Sequence, residues 1–352
     1  MPTAEQLKDR VDALRESRAY RNYEMVRERV LEMKALEESR RTGIFAPSDY
    51  WEEELANFEY MWDASPFIIE KLRHHTFHIT GLRVYDYRSN KDKVEAQVAR
   101  KLAALRQVGG DELLVPEARE LGGFGFQIDG GLYNVDTLKF YESLIALQKG
   151  AVLPELQEPG ERRVVWEIGA GWGGFAYQLK TLCPNATYVI TDFPELFLFS
   201  ATYLLTMFPE AQAAFYGIDD AGSWLDADFV FVPNTFLDEL RPARCDLTVN
   251  TVSFQEMTTE QVRAYVQHAY DLGCQYLYSL NRDRSYYNPE LGNVRELIAE
   301  RYWPHEIEVL PVSYVNLKDD PTRPRPQNLL KKVKGGKEDL DYKHVIGWRR
   351  VS

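Results

Sequence analysis

Residues 164–175 read VVWEIGAGWGGF, an apolar run that meets a glutamate and then four glycines within six residues. The β-branched run suits a strand buried on both faces. The glycines suit a turn whose backbone takes φ > 0 or lies against something outside the chain. A helical stretch follows, so the segment reads as strand, turn and helix. The pattern continues with ATYVITD (186–192), DFVFVPN (228–234), CDLTVNT (245–251) and CQYLYSLN (274–281), most of them separated by helical stretches. Strand–helix alternation specifies a parallel sheet with helices on both faces. The last two strand candidates, HEIEVLPVSYVNL (305–317) and YKHVIGWRRV (342–351), have no helix between them. They read as an antiparallel pair closing the sheet. The basic, Pro-rich stretch 318–341 between them is a solvated loop or a flap over a site.

The chain before residue 164 is different. Residues 4–40 are densely charged, lack glycine and carry Val11, Leu14, Tyr20, Tyr23, Val26, Val30 and Leu31 at loosely helical spacing. GIFAPSDY (43–50) breaks that helix, and YWEEELANFEYMWD (50–63) resumes one. Residues 65–88 hold His74, His75 and His78, and residues 91–108 read as another helix. Residues 122–150 are a glycine-rich loop and then a helix capped by Asn134 or Asp136. Residues 153–163 have the Pro and Glu content of a linker. At roughly 100–200 residues per domain, the 352 residues divide into two. We expect a helical domain over 1–150, used for dimerisation or as a substrate lid, and a cofactor-binding α/β domain over 151–352.

The 45% hydrophobic and 13% aromatic content supports a large core. The net charge of −12 repels phosphate backbones, which argues against nucleic acid as a partner. Three cysteines, Cys183, Cys245 and Cys274, form neither a zinc spacing nor a disulfide framework. The charged start and the lack of an apolar run of about 18 residues predict a cytoplasmic protein with no membrane segment. A small-molecule acceptor or substrate fits that class.

The glycine loop, with Gly169 and Gly171, suits a dinucleotide pyrophosphate or the methionine end of S-adenosylmethionine. Glu167, two residues earlier, repels a pyrophosphate and can hold an ammonium group. Asp192, at the tip of the next strand, suits a ribose diol in either cofactor. The antiparallel sheet ending is foreign to most dinucleotide domains. These features favour S-adenosylmethionine over NAD.

Three segments carry a family resemblance. VVWEIGAGWGGFAYQL resembles motif I of class I S-adenosylmethionine-dependent methyltransferases, with Trp172 where the family often has tyrosine. YVITDFPELFLFSATYLL (188–205) resembles the segment after the second strand in O-methyltransferases. CDLTVNTVSFQEM (245–257) resembles a signature of the sugar O-methyltransferase family, which includes tailoring enzymes of glycosylated natural products. The likeness extends to GGLYNVDTLKFY, LYSLNRD and HVIGWRR, covering about 120–350. It implies a Rossmann-like α/β fold with a seven-stranded sheet and O-methylation of a sugar hydroxyl.

A sugar hydroxyl is a poor nucleophile near neutral pH, so such a transfer needs a base. The loop after the fourth strand of that sheet offers Glu256, with Ser253 and Gln255 as acceptor contacts. Ser253 to Glu256 also fits a helix capping box, and the two roles fit equally. Rival bases are His268, His305 and the trio His74, His75 and His78. Asn250 and Asn234 are candidate cofactor contacts, Asn234 on the adenine side. Tyr133, Trp172, Tyr286 and Tyr287 are aromatic candidates for stacking on an acceptor. A divalent metal could gather Asp219, Asp220 and Asp246. Two other functions remain: an NAD-dependent oxidoreductase, and a non-catalytic partner protein of methyltransferase fold.

Overall fold

The computed structural model describes residues 2–219, 226–285, 288, 290–312, 314–323 and 341–351. Asp220, Tyr286, Tyr287 and most of the 318–341 stretch lie outside the described residues.

A small hairpin comes first, β1 (Phe126–Ile128) against β2 (Gly131–Tyr133). Its two-residue turn is Asp129–Gly130, both at positive φ, the usual tight hairpin turn. The main sheet holds β3 (Val164–Ile168), β4 (Thr187–Asp192), β5 (Ala213–Phe215), β6 (Phe229–Pro233), β7 (Leu247–Thr251), β8 (Tyr276–Arg282), β9 (Tyr302–Glu306) and β10 (Tyr342–Arg349). Their order is β5-β6-β4-β3-β7-β8-β10-β9. From β5 to β8 the neighbours are parallel, and β10 runs antiparallel to both β8 and β9. The expected seven strands and closing antiparallel pair are present, with the short edge strand β5 added.

Two differences have local causes. The penultimate strand is Tyr302–Glu306, upstream of the apolar run that suggested it. Pro304 is tolerated there because β9 is an edge strand. Val309, Val312 and Tyr314 are buried instead as irregular chain packed on the core. Residues 4–40 form two helices, Ala4–Arg15 and Arg18–Glu37, because Ser17 caps the second through Tyr20 N–H.

The strands β3, β4 and β6 are buried throughout, as a sheet covered on both faces requires. One face packs against the helices Val135–Lys149, Gly174–Leu182 and Pro194–Met207 and the helical region before them, in one continuous core. That core crosses residue 150 without a break. The other face packs against Thr259–Asp271 and Val294–Ala299. The segment expected as a linker is half helix, Val152–Gln157, with Val152, Leu153 and Leu156 buried. β3 lies between β4 and β7, so the chain winds outward one way from β3, then the other way from β7. Ligand crevices in such sheets open at the carboxyl ends of the strands at that switch point.

Candidate functional site

The turn after β3 lies at the switch point. Gly169 has φ +70° and Gly171 has φ +59°. A Cβ on Gly169 would sit 2.3 Å from Ser253 Oγ, and one on Gly171 2.7 Å from Ile79 Cγ2. Both turn geometry and close packing from above and beside therefore require glycine. Gly171 N–H donates to Asp192 Oδ2 at 2.9 Å, which ties the loop to the tip of β4. Phe193 N–H donates to Asp192 Oδ1 at 2.9 Å. Burial nevertheless pushes the Asp192 carboxyl up to about 7.

Above this loop is a cleft of about 500 Å³. Its floor is Gly169–Trp172, Asp192 and the stretch after β7, where Val252 holds a left-handed φ of +72°. Its roof comes from the N-terminal region: Trp51, Glu54 and the turn from Phe77 to Leu82. Asp136 and Lys139 line one end, with Lys139 Nζ 2.9 Å from Asp136 Oδ1. A buried Arg73 reaches Asp136 at 3.4 Å and lies 3.5 Å over the Trp172 ring, so roof and glycine loop are joined. His78 Nδ1 lies 2.8 Å from Glu54 Oε2, both on the cleft wall.

A narrow recess continues past Asp192 to Asn234, Tyr265 and Trp51. Asn234 is 7% exposed; its Nδ2 donates to Phe45 O at 3.2 Å, and its Oδ1 is buried with no protein partner. A buried, unpaired carbonyl on a residue that lines a recess is a costly arrangement unless something donates to it.

Glu256 lines the cleft, the recess and a further cleft beside them. The capping-box role is overturned. Ser253 makes no capping bond, and the helix that follows is capped by Thr258 with Gln261. The Glu256 carboxyl, bonded by the Trp51 side chain, is pushed up to about 7 by burial. Ser253 and Gln255 also line the cleft, and Gln255 Nε2 donates to Tyr342 Oη at 3.1 Å.

Other candidates are placed elsewhere. Asn250 is fully buried with every valence used. Its Nδ2 donates to Ile168 O and Ser253 Oγ, and its Oδ1 accepts from Phe254 N–H and Asn281 Nδ2. It clamps three strand ends together and has nothing left for a cofactor. His268 packs edge-on to Trp166 on the opposite face of the sheet, its Nε2 2.9 Å from Leu240 O. Tyr133 is buried away from the cleft, in the hairpin beside Arg106. His305 is on the edge strand beside Trp348, and His75 meets Tyr60 Oη at 3.1 Å. His74 packs against Phe124, which leaves His78 as the one member of the trio on the cleft wall.

Glu167 is fully buried beneath the loop, facing the helical layer with Tyr188. Tyr188 Oη donates to its Oε2 at 2.8 Å, while Oε1 has no partner. Burial pushes this carboxyl up from 4.5 to about 8. The folded state therefore holds a proton that the unfolded chain releases, and stability falls as pH rises between those two values. Glu167→Gln keeps the Tyr188 bond and removes the titration. Thermal melts are expected to show the variant a few degrees above the parent above pH 8, and level with it below pH 4.5. A gap independent of pH would contradict this.

Among the metal candidates, Asp246 precedes β7 at the amino ends of the strands, paired with Arg163 and Arg244. Asp219 pairs with Arg29 at 3.0 Å. Among the described residues, no group of three or more His, Cys, Asp or Glu is placed to hold a metal. Among them also, no helix is long and apolar enough to cross a membrane.

The chain has a Rossmann-like α/β fold, with the closing antiparallel strand that the family resemblance implies. No family model matches the sequence, and no curated protein matches it. Among solved structures, it is similar to WbdD at 14% identity over 61% of this chain and 39% of that one, with a TM-score of 0.37. The chain thus spans 39% of the length of WbdD. It is similar to the magnesium protoporphyrin IX methyltransferase of Synechocystis PCC 6803, solved with bound SAH, at 10% identity over 73% and 97% of the two chains, TM-score 0.36. It is also similar to the N-methyltransferase NodS of Bradyrhizobium japonicum WM9, in complex with S-adenosyl-L-homocysteine, at 12% identity over 58% and 87%, TM-score 0.32.

Sequence reasoning missed the roof residues Trp51 and Glu54 and the pair Asp136 and Lys139. The last pair was visible as an i, i+3 acid–base pair at the start of a helix.

Proposed function

We propose that the chain is an S-adenosylmethionine-dependent O-methyltransferase acting on a hydroxyl of a sugar or glycosylated small molecule. One observation carries this reading. A crevice and the recess that continues it are lined by the buried carboxyl of Asp192, by Asn234 with its unpartnered carbonyl, and by the ion pair of Asp136 with Lys139. Those are complements for a ribose, an adenine amino group and an amino-acid end. Asp192 would take the ribose hydroxyls, Asn234 Oδ1 the amino group, and Gly169 and Gly171 the close approach of the chain between them. Glu167 supports the loop from beneath. A pyrophosphate suits the crevice poorly, since Glu54, Asp136, Asp192 and Glu256 all line it.

When bound, the cofactor supplies a sulfonium-activated methyl group. Glu256 takes the proton of the acceptor hydroxyl onto a carboxylate oxygen. Trp51 holds that carboxylate in place, and the roof over residues 51–82 excludes water. The N-terminal region, residues 1–150, thereby acts as a lid on the cofactor-binding part.

Lys139 offers a discriminating test. Lys139→Met is expected to weaken S-adenosylhomocysteine binding by roughly 10- to 100-fold, the worth of one hydrogen bond to a charged group. Binding of 5′-methylthioadenosine, which lacks the amino-acid end, should not change. Equal losses for both ligands in calorimetry would place the amino-acid end elsewhere. The activity itself is tested by transfer of label from methyl-labelled S-adenosylmethionine to simple glycosides. Label recovered on an oxygen of the glycoside supports the reading, and label on nitrogen or carbon contradicts it.

A further inference from the structure

Beside the cofactor crevice lies a second cleft, of about 780 Å³. It meets the crevice at Gln255 and Glu256, which line both. A volume in the range of 300–1,000 Å³ is typical of small-ligand sites. Its two walls differ. One is apolar, from Ile44, Ala46 and Pro47. The other is polar, from Gln255, Gln261, Ser285 and Asn288 together with Glu256, Glu260, Glu290 and Arg282. A pyranose ring has the matching division, with C–H faces and a rim of hydroxyls that donate and accept.

The apolar wall is anchored to the polar one. Gln261 Nε2 donates to Ile44 O at 2.8 Å and Ala46 O at 3.3 Å, and Asn234 Nδ2 donates to Phe45 O at 3.2 Å. On the polar wall, Asn288 Nδ2 donates to Met257 O at 2.8 Å.

Charge narrows the ligand. Three carboxylates line the cleft, Glu256, Glu260 and Glu290, against Arg282. The Arg282 guanidinium stacks over the Tyr342 ring at 4.5 Å. The whole chain carries −12. A phosphorylated or carboxylated ligand would approach against that field, whereas an uncharged or amine-bearing one would not.

We propose that this second cleft is the acceptor site and that its ligand is a neutral or amine-bearing sugar, not an anionic one. The proposal rests on the cofactor reading above, and names the acceptor class for that same site. Glu256, on the wall common to both cavities, then stands between acceptor and methyl donor.

The test uses the full chain saturated with S-adenosylhomocysteine and saturation-transfer NMR. The probes are methyl glucoside, methyl glucosaminide, methyl glucuronide and glucose 1-phosphate. The two uncharged or amine-bearing probes should bind and the two anionic ones should not. Glu260→Gln with Glu290→Gln should weaken the glucosaminide by about three- to tenfold, as for one or two exposed charge pairs, and leave the glucoside nearly unchanged. Preference for the anionic probes, no binding by any probe, or an unaltered glucosaminide in the double variant would overturn the proposal. Failure of S-adenosylhomocysteine itself to bind, measured first by calorimetry, would instead overturn the cofactor reading.

Discussion

Asp192→Ala is expected to reduce S-adenosylhomocysteine binding by at least about 100-fold, to the limit of detection in calorimetry. The carboxylate is buried at the tip of β4, and both oxygens already accept a backbone N–H, from Gly171 and Phe193. It therefore shapes the glycine loop as well as offering its remaining lone pairs to a diol. Removing it leaves two donors unpaired and deletes a charge-assisted acceptor, each costing about 1–3 kcal/mol. The fold should survive, because the strand is anchored through β3 and β6. A melting transition close to the parent's is the control. Binding should also depend on pH. The carboxyl is held up to about 7, and its ionised form is the stronger acceptor, so affinity should fall as pH drops through that value. Unchanged affinity in the variant would remove Asp192 from the site.

Glu256→Gln is expected to cut the methyl-transfer rate by about 10²- to 10⁴-fold, the usual worth of a positioned base, with cofactor affinity altered little. The glutamine oxygen can still accept the bond from Trp51, so the wall between the cavities keeps its shape. Burial holds the parent carboxyl up to about 7. A base works ionised, so the parent rate should rise with pH through that value and then level off. The variant should lose that limb. A variant with a near-normal rate would move the base elsewhere, and His78, oriented by Glu54, is the next group on the cleft wall.

How far the sequence foretold this depends on burial. β3, β4 and β6 are covered on both faces, and their unbroken apolar runs mark them. The β1–β2 hairpin carried its Asp-Gly turn signal but was masked by surrounding glycines. β5 is three residues at an edge and has no period to detect. The penultimate apolar run, residues 305–317, misled because apolar residues can also be buried as irregular chain, as Val309 and Val312 are. Within the site, Gly169, Gly171, Asp192, Asn234, Ser253, Gln255 and Glu256 do converge on the crevice. Glu167, which was expected to hold the ammonium group, lies buried beneath the loop against Tyr188, and Tyr133, Asn250 and His268 lie off the crevice too, because a side chain's direction off a strand or helix is settled by neighbours far away in sequence. Leu240, 28 residues from His268, is one such neighbour. The alternative role for Glu256 lost to Thr258 and Gln261, which form the same kind of box two residues later in chain order than the pairing's end. The roof was least legible. Trp51 and Glu54 read only as part of a helical region, and although His78 stood among the candidate bases, nothing local separates it from His74 and His75 as the one that lies over the glycine loop.

The central claim is that the crevice over residues 169–172 holds S-adenosylmethionine. It is tested most directly by calorimetric titration of the full chain above pH 8, where Asp192 and Glu256 are ionised. S-adenosylhomocysteine is expected to bind one-to-one in the micromolar range or tighter, and NADH to give no heat. Binding of NADH with no response to S-adenosylhomocysteine would contradict the account.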